Sequence, residues 1–216
     1  MASMFTFQHS STFDAAPARE SEALPVAYPD VEFVAYGEDC IVVARVALPT
    51  ERLTDLLNSQ ERYRITDVVA DSLTDGHAYE LPEVELQRDE LFLVHAAGPR
   101  GNPGRRKRTR QHSVVLQLGP YLVHGQFHAV PGSDPLEGLR RRKAMVPLTD
   151  ATIEFVVGRA VQQRHVETLI VNRELMDWAV EAHDEGIEFP ELEVPAATGR
   201  LAKDFTGQIS THIEAA

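Results

Sequence analysis

Two histidines of this sequence have a spacing that can bind a metal ion. His124 and His128 are four positions apart, which on a helix would place both rings on one face. They lie in YLVHGQFHAV (121–130), whose alternating pattern predicts a strand and separates the two side chains by about 13 Å. No cysteine or carboxylate lies between them. We therefore predict ordinary strand histidines, no metal ligands and no cofactor. Three further histidines are dispersed without ligand spacing: His77, His95 and His165.

Two carboxylates recur in the same local context. Thr66-Asp67 and Thr149-Asp150 both precede apolar runs and are 83 positions apart. Across a pseudo-twofold axis Asp67 and Asp150 could form an acid–base pair, but a Thr-Asp at a strand start more often accepts hydrogen bonds from nearby backbone N–H groups. The chain has no Gly-x-Ser-x-Gly, Walker loop or dinucleotide fingerprint. We predict no catalytic residue and no enzyme activity, and a buried strand thiol for the single cysteine, Cys40.

The basic residues are unevenly placed. The net charge is −12, yet ten of the 21 Lys and Arg residues lie in the 18 positions of segments 99–112 and 140–143, which contain no Asp or Glu. Clustered cations attract polyanions by releasing counterions. The alternatives are a solvated linker and a loop that docks on an acidic protein surface, and the absence of interleaved aromatics disfavours base stacking. The candidate nucleic-acid-binding residues are Arg105, Arg106, Lys107, Arg108, Arg110, Arg140, Arg141, Arg142 and Lys143.

The elements that must position these residues are mainly strands. VEFVAY (31–36) and CIVVARVAL (40–48) flank a tight turn, which predicts a hairpin. Thr50 is expected to cap a short helix with Leu53, Leu56 and Leu57 on one face. Strands are then predicted at 62–70 and 90–96.

The second half repeats this order. Strands are predicted at 113–118 and 121–130, a short helix after Asp134-Pro135, and strands at 145–157 and 168–180. A shift of 83 positions aligns Leu53 with Leu136, Leu56 with Leu139, and Ile65 with Leu148. We therefore predict an internal duplication and burial of these six residues.

The sequence pattern divides the chain into five predicted segments. They are a flexible N-terminal arm (1–30), a first β-rich unit (31–97), a basic Gly/Pro linker (98–112), a second β-rich unit (113–182) and an acidic C-terminal tail (183–216). The fold class is predicted to be mainly β with short helices. Two hairpins are unstable alone, so closure into small barrels or pairing of the two units is expected.

A family resemblance is carried by three short motifs. IVVARVALP…LLN…YRITDVVAD and LVHGQFHAVP…LTDATIEF resemble the first motif of the Sm-like small β-barrels, which are similar to SH3 barrels, and TLIVNREL (168–175) resembles the second. The strand-bend glycines of that family are mostly missing, with Gly125 the one candidate, and its N-terminal helix is absent. LTDLLN, TD and VNRE also resemble uncharacterised bacterial proteins built from such units. This resemblance implies tandem small barrels and no activity.

The function predicted from the sequence is binding. We expect a non-enzymatic scaffold module that engages another macromolecule, with protein as the favoured partner and with self-association into a homo-oligomer as one route. The alternative is a nucleic-acid-binding protein that uses 100–110 and 140–143. No apolar run reaches the roughly 18 residues of a membrane helix, and the N-terminus lacks a secretory signal pattern. A cytoplasmic location is expected, and no small-molecule site is identified.

Overall fold

The structure is a computed structural model that describes residues 28–182, except 103 and 105–107. The predicted N-terminal arm up to residue 27, the C-terminal tail and three of the candidate basic residues lie outside the described residues. The last three residues of the arm, 28–30, are described and exposed. The two predicted β-rich units fall within the described part of the chain.

The first half forms five strands, which we call the first strand set. These are β1 (Asp30–Tyr36), β2 (Cys40–Ala47), β3 (Arg62–Ser72), β4 (Ala78–Gln87) and β5 (Leu93–His95). Helix α1 (Leu53–Ser59) lies between β2 and β3, and a 3-10 helix (Arg88–Glu90) lies between β4 and β5. Helix α1 begins after Arg52, without a side-chain cap, because Thr50 Oγ1 donates to the carbonyl of Arg52 instead of capping.

The second half forms the second strand set. These are β6 (Arg110–Leu118), β7 (Tyr121–Ala129), β8 (Met145–Val157), β9 (Ala160–Asn172) and β10 (Trp178–Glu181). Helix α2 (Pro135–Arg140) lies between β7 and β8, and a 3-10 helix (Arg173–Leu175) lies between β9 and β10. As the sequence predicts, Asp134 caps α2, where its carboxylate accepts from the N–H groups of Leu136 and Glu137.

The ten strands pair in one antiparallel sheet. Its order is β10-β6-β7-β8-β9-β5-β1-β2-β3-β4, so each set contributes its fifth, first, second, third and fourth strand in turn. The mainly β fold class with short helices is therefore confirmed. Pairing of β9 with β5 joins the two sets, and β10 and β4 are the outermost strands of the described sheet.

The same irregularity interrupts both strand sets. Asp67 and Asp150 have positive φ angles of 51° and 52°, and each lies where the pairing register of its strand shifts. Ala44 lies opposite the first shift, and Gly125 opposite the second. A Cβ at Gly125 would lie 3.3 Å from the Cβ atoms of Leu148 and Ala151, so this glycine permits a close approach of β7 and β8.

The core confirms most of the predicted burial. Leu53, Leu56, Leu139, Ile65 and Leu148 are each at most 2% exposed, because they face the sheet from the helices or lie on its inner face. Leu136 is only half-buried and packs at the edge of the second set's core. Apolar side chains from the first set, including Tyr36 and Leu93, also belong to that core.

Three strands, β4, β9 and β10, differ from the sequence-based assignment. The pattern did not predict β4, since its segment AYELPEVELQ is acidic, contains Pro82 and is largely exposed. The predicted single strand 168–180 is instead the end of β9, a 3-10 helix and β10. Thr66-Asp67 and Thr149-Asp150 lie inside β3 and β8, not at strand starts.

Candidate interaction surfaces

Large apolar side chains are exposed on the two outermost strands. On β4, Tyr79 is 56% and Leu81 46% exposed, and on β10 Trp178 is 44% and Val180 40% exposed. Outermost strands also present unpaired backbone N–H and C=O groups, which favour association with another strand. We call the β4 and β10 sides the first and second free edge of the described sheet. Sequence reasoning missed both edges, although the apolar residues of β4 were a usable signal.

The first free edge also carries features that limit pairing. Pro82 lies within β4 and lacks a backbone donor, which restricts continuous strand addition to one side of it. Glu83 and Glu85 make ion pairs with Arg64 and Arg62 of β3, at 2.7 and 3.4 Å. The part of β4 that follows Pro82 therefore has its charges paired and its backbone available.

The pairing of β5 with β9, which we call the junction, shows how such edges meet. Leu93 lies opposite Val171, Val94 opposite Ile170, and His95 opposite Leu169. Except for His95, these side chains are fully buried. An apolar antiparallel ladder thus joins the fifth strand of one set to the fourth strand of the other.

Polar groups reinforce the junction on both sides. The side chain of Asn58 at the end of α1 donates to the carbonyl of Met145 at 2.7 Å and accepts from its N–H at 3.1 Å. Asn172 Nδ2 donates to the carbonyl of Arg88 at 2.9 Å. Tyr121 Oη donates to the carbonyl of Gly37 at 2.6 Å. The two strand sets are therefore in specific contact well beyond the ladder itself.

A half-buried histidine, His95, lies within the junction. Tyr36 Oη is 3.0 Å from His95 Nε2, and Arg164 Nη1 donates to the same hydroxyl at 3.5 Å. Burial, with a smaller contribution from the Arg164 guanidinium, lowers the pKa of His95 to about 4. Burial likewise raises the pKa of Tyr36 above its usual value. His95 is therefore neutral near pH 7, and its ring contributes to packing rather than to charge.

One basic residue of each segment, Arg110 and Arg142, lies at the same end of the second strand set. Arg110 lies opposite Ala129, and Arg142 Nη2 donates to the carbonyl of the adjacent His128 at 3.1 Å. Arg108, Arg110 and the whole of 140–143 are exposed. We call this group, Arg108, Arg110 and 140–143, the cationic end.

Some residues of the cationic end also have structural contacts. The guanidinium of Arg142 lies 5.8 Å from the ring centroid of Phe127, and its carbonyl accepts from Arg173 Nε at 2.6 Å. Arg141 pairs with Glu137 at 2.7 Å. Arg105, Arg106 and Lys107 lie outside the described residues. Of the described candidate cations, Arg108, Arg110, Arg140 and Lys143 are thus the best placed for a ligand.

The remaining histidine, aspartate and cysteine candidates have ordinary contacts with neighbouring residues. His128 lies between Thr109 Oγ1 at 3.3 Å and Thr149 Oγ1 at 2.8 Å. Asp150 is 3.5 Å from His165 Nε2 at the surface. Burial, followed by nearby Asp39, raises the pKa of the Cys40 thiol, which disfavours a reactive thiolate. Within residues 28–182, less the gaps given above, no group of three or more His, Cys, Asp or Glu side chains has the arrangement of a metal site.

One concave region lies beside the junction. A cleft of about 220 Å³ is bordered by the two 3-10 helices, with Arg88 and Asp89 on one side and Asn172 and Glu174 on the other. Its polar groups are of mixed sign, and Arg88 is 3.7 Å from Glu61. The cleft therefore offers no convergent charge of one sign to an ionic ligand.

Helices of the described chain are too short or too polar to span a membrane.

Comparisons with known proteins give no relative for this chain: no family model, no curated protein and no solved structure matches it.

Proposed function

We propose that this protein is a non-enzymatic binding and scaffold module that engages another protein through the free edges of its sheet. The observation that carries the proposal is the exposure of Tyr79 and Leu81 on one free edge and of Trp178 and Val180 on the other. Solvent-exposed aromatic and aliphatic side chains beside unpaired backbone groups favour protein association. The single cysteine is in keeping with a cytoplasmic place of action.

The proposal includes an internal duplication of a small Sm-like unit. It is supported by the two matched register shifts at Asp67 and Asp150 and by the repeated order of strands. A unit of five short strands has two unpaired outer strands, so tandem units stabilise each other by pairing one strand of each. On this proposal the junction is the means by which one unit binds another.

Site-specific photo-crosslinking inside cells tests the edge proposal. A photoreactive amino acid at Leu81 or at Trp178 should give protein adducts, because both side chains would lie within an interface. The same amino acid at Val130, which is 56% exposed and lies outside both free edges, is the matched control and should give few adducts. Equal adduct yield at all three positions, or none at Leu81 and Trp178, would contradict the proposal.

A second candidate function is binding of nucleic acid at the cationic end. The observation that favours it is the convergence of Arg110 and Arg142 beside His128, which joins two basic segments distant in sequence. Phosphate contacts by such residues release counterions and give steep salt dependence. Retention of the protein on single-stranded RNA should be strong at about 50 mM salt and fall at least tenfold by about 200 mM if several phosphates are contacted. Absence of retention at the lower salt would exclude this function.

A further inference from the structure

We propose that the occupant of each free edge is a second copy of this chain, joined head to tail, so that β10 of one copy pairs with β4 of the next in the geometry of the junction. This inference rests on the proposed function and names the partner. Its starting point is the strand order, in which the fifth strand of the first set pairs with the fourth strand of the second. The described sheet ends in the two complementary strands, the fifth of the second set and the fourth of the first.

Ladder register identifies which positions of the two sets correspond. Leu81 lies opposite Val68, the residue that follows the register shift at Asp67, and Val166 lies opposite Ala151, which follows the shift at Asp150. Leu81 therefore corresponds to Val166. The same ladders match Val84 with Leu169 and Leu86 with Val171.

The fifth strands are matched by the 3-10 helices that precede them. Leu93 and Trp178 both follow their 3-10 helix after two intervening residues. Leu93 therefore corresponds to Trp178, and His95 to Val180. Leu73 and Val156 also correspond, since each lies six residues after the positive-φ aspartate of its set.

Exposure follows this correspondence. Leu93 and Leu73 of the first set belong to the core of the second set, whereas Trp178 and Val156, their counterparts, are more than 40% exposed. On the β4 side the exposed residue belongs to the first set instead: Leu81 is exposed, whereas its second-set counterpart Val166 packs against the core. Trp178, Val156 and Leu81 are thus exposed at positions whose counterparts in the other strand set pack against the core, which is why a second copy fits these edges.

The junction also fixes the register of the proposed contact. Trp178 would lie opposite Leu86, Ala179 opposite Glu85, and Val180 opposite Val84. Trp178 and Val180 would then cover Val84 and Leu86, which are half-buried at the rim of the first set's core. Pro82 lies outside this segment, so all three pairs are compatible with its missing backbone donor. Such a contact joins two different surfaces, and it extends to a closed ring or a filament.

Disulfide formation between engineered cysteines tests the register. In the junction, Asn172 N donates to the carbonyl of Phe92, which makes the neighbouring pair Leu93 and Val171 a non-hydrogen-bonded pair with short Cα separation. Val180 and Val84 would form the same kind of pair, which suits a disulfide. In a Cys40→Ser background, mixing Val180→Cys and Val84→Cys proteins should give mixed disulfide dimers under mild oxidation.

Three controls make the cross-linking decisive. Val180→Cys alone and Val84→Cys alone should stay monomeric on denaturing gels, because a head-to-tail contact never places like edges together. Val180→Cys mixed with Glu80→Cys, four residues away on β4, should cross-link far less. Efficient Val180→Cys homodimers would overturn the proposal in favour of an edge that pairs with itself, and the absence of the mixed disulfide would overturn it outright.

Complementation of two edge variants provides an independent measurement. Trp178→Lys and Val84→Lys should each weaken self-association at least tenfold in sedimentation velocity, the size typical of a buried interface anchor. Their equimolar mixture should recover association but stop at dimers, since each protein retains one intact edge. Val130→Lys is the matched control and should associate like the unaltered protein. A mixture that remains monomeric contradicts the proposal.

The in-cell adducts separate failure of this inference from failure of the proposed function. Adducts at Leu81 and Trp178 composed of a different protein would overturn the second copy as occupant and leave edge binding intact. Adducts composed of this chain support both. Absence of adducts overturns both.

Discussion

Leu93 of β5 lies directly opposite Val171 of β9, and both side chains are fully buried. This pair comes from the two strand sets and belongs to the ladder that joins them into one sheet. Because Leu93 packs into the second set's core, the two sets do not have separate apolar interiors. The stability of the whole described fold should therefore depend on this contact.

Leu93→Ala tests how much the junction contributes to the free energy of unfolding. Deleting a fully buried leucine side chain costs about 2–5 kcal/mol, from lost transfer energy and the cavity left behind. We expect that decrease in the free energy of unfolding, measured with urea, in a single transition. Val130→Ala, at an exposed position, should change it by no more than about 0.5 kcal/mol. A similarly small effect of Leu93→Ala would show that the junction contributes little.

Asp150→Val tests the backbone conformation at the register shift. Its φ of 52° is disfavoured for a β-branched residue, so the substitution should lower the free energy of unfolding by roughly 1–2 kcal/mol. Asp150→Gly should stay within about 0.5 kcal/mol, because glycine adopts this conformation freely. Glu154→Val, on the same strand with no positive φ, is the matched control. An equal decrease in the free energy of unfolding for Asp150→Val and Glu154→Val would mean that the positive φ at residue 150 is not strained.

His95 should make stability fall at acidic pH. Its pKa is about 4 in the folded protein against 6.5 for an unperturbed histidine, so the unfolded chain binds more protons between these values. Stability is then greatest above pH 6.5 and decreases as pH falls towards 4. Between pH 7.5 and 4.5 the unaltered protein should lose about 2–3 kcal/mol more than His95→Gln, by urea unfolding. Parallel pH profiles would show that His95 does not titrate in this way.

Arg140→Ser with Lys143→Ser tests the cationic end. Both side chains are exposed, so the free energy of unfolding should change by at most about 0.5 kcal/mol. If this end binds nucleic acid, the double variant should bind single-stranded RNA more weakly and with a salt slope reduced by about 1–2. Arg45→Ser with Arg159→Ser removes the same charge elsewhere and should bind like the unaltered protein. Equal loss in both variants would point to net charge alone.

Arg62→Met with Glu85→Ile should strengthen head-to-tail association. At the junction the corresponding positions hold Met145 and Ile170, which are at most 2% exposed, whereas Arg62 and Glu85 form an exposed ion pair. Burying apolar area in place of that pair should lower the dissociation constant at least tenfold, measured by sedimentation equilibrium.

Arg45→Met with Glu32→Ile is the control for that change. This pair also lies on facing strands, β2 and β1, but in the interior of the sheet rather than at a free edge. It should leave the dissociation constant unchanged. Tighter association in the control would indicate nonspecific adhesion of added apolar surface.

The sequence by itself determined the local elements and most of the core. Alternating β-branched runs predicted seven of the observed strands individually, and helix periodicity placed Leu53, Leu56 and Leu139 inside, because these signals depend on neighbours within a few residues. Strand β4 was not predicted because its segment is acidic and contains Pro82. The boundary between β9 and β10 was not predicted because both strands lie in one apolar run. Even the recurrence of Thr-Asp was visible, although its role in a register shift was not.

Only the tertiary structure decided which strands pair across the two halves. Pairing of β5 with β9 joins residues about 75 positions apart, and no local pattern specifies such a partner, since strand edges of similar polarity are interchangeable in sequence. That choice buries Leu93 and leaves Trp178 exposed, although both occupy the same place in their strand sets. Within the second strand set, pairing of β6 with β7 likewise brings Arg110 close to Arg142, which binds the carbonyl of His128. The surfaces on which the proposed function depends therefore follow from long-range strand pairing, which cannot be predicted from the amino-acid pattern alone.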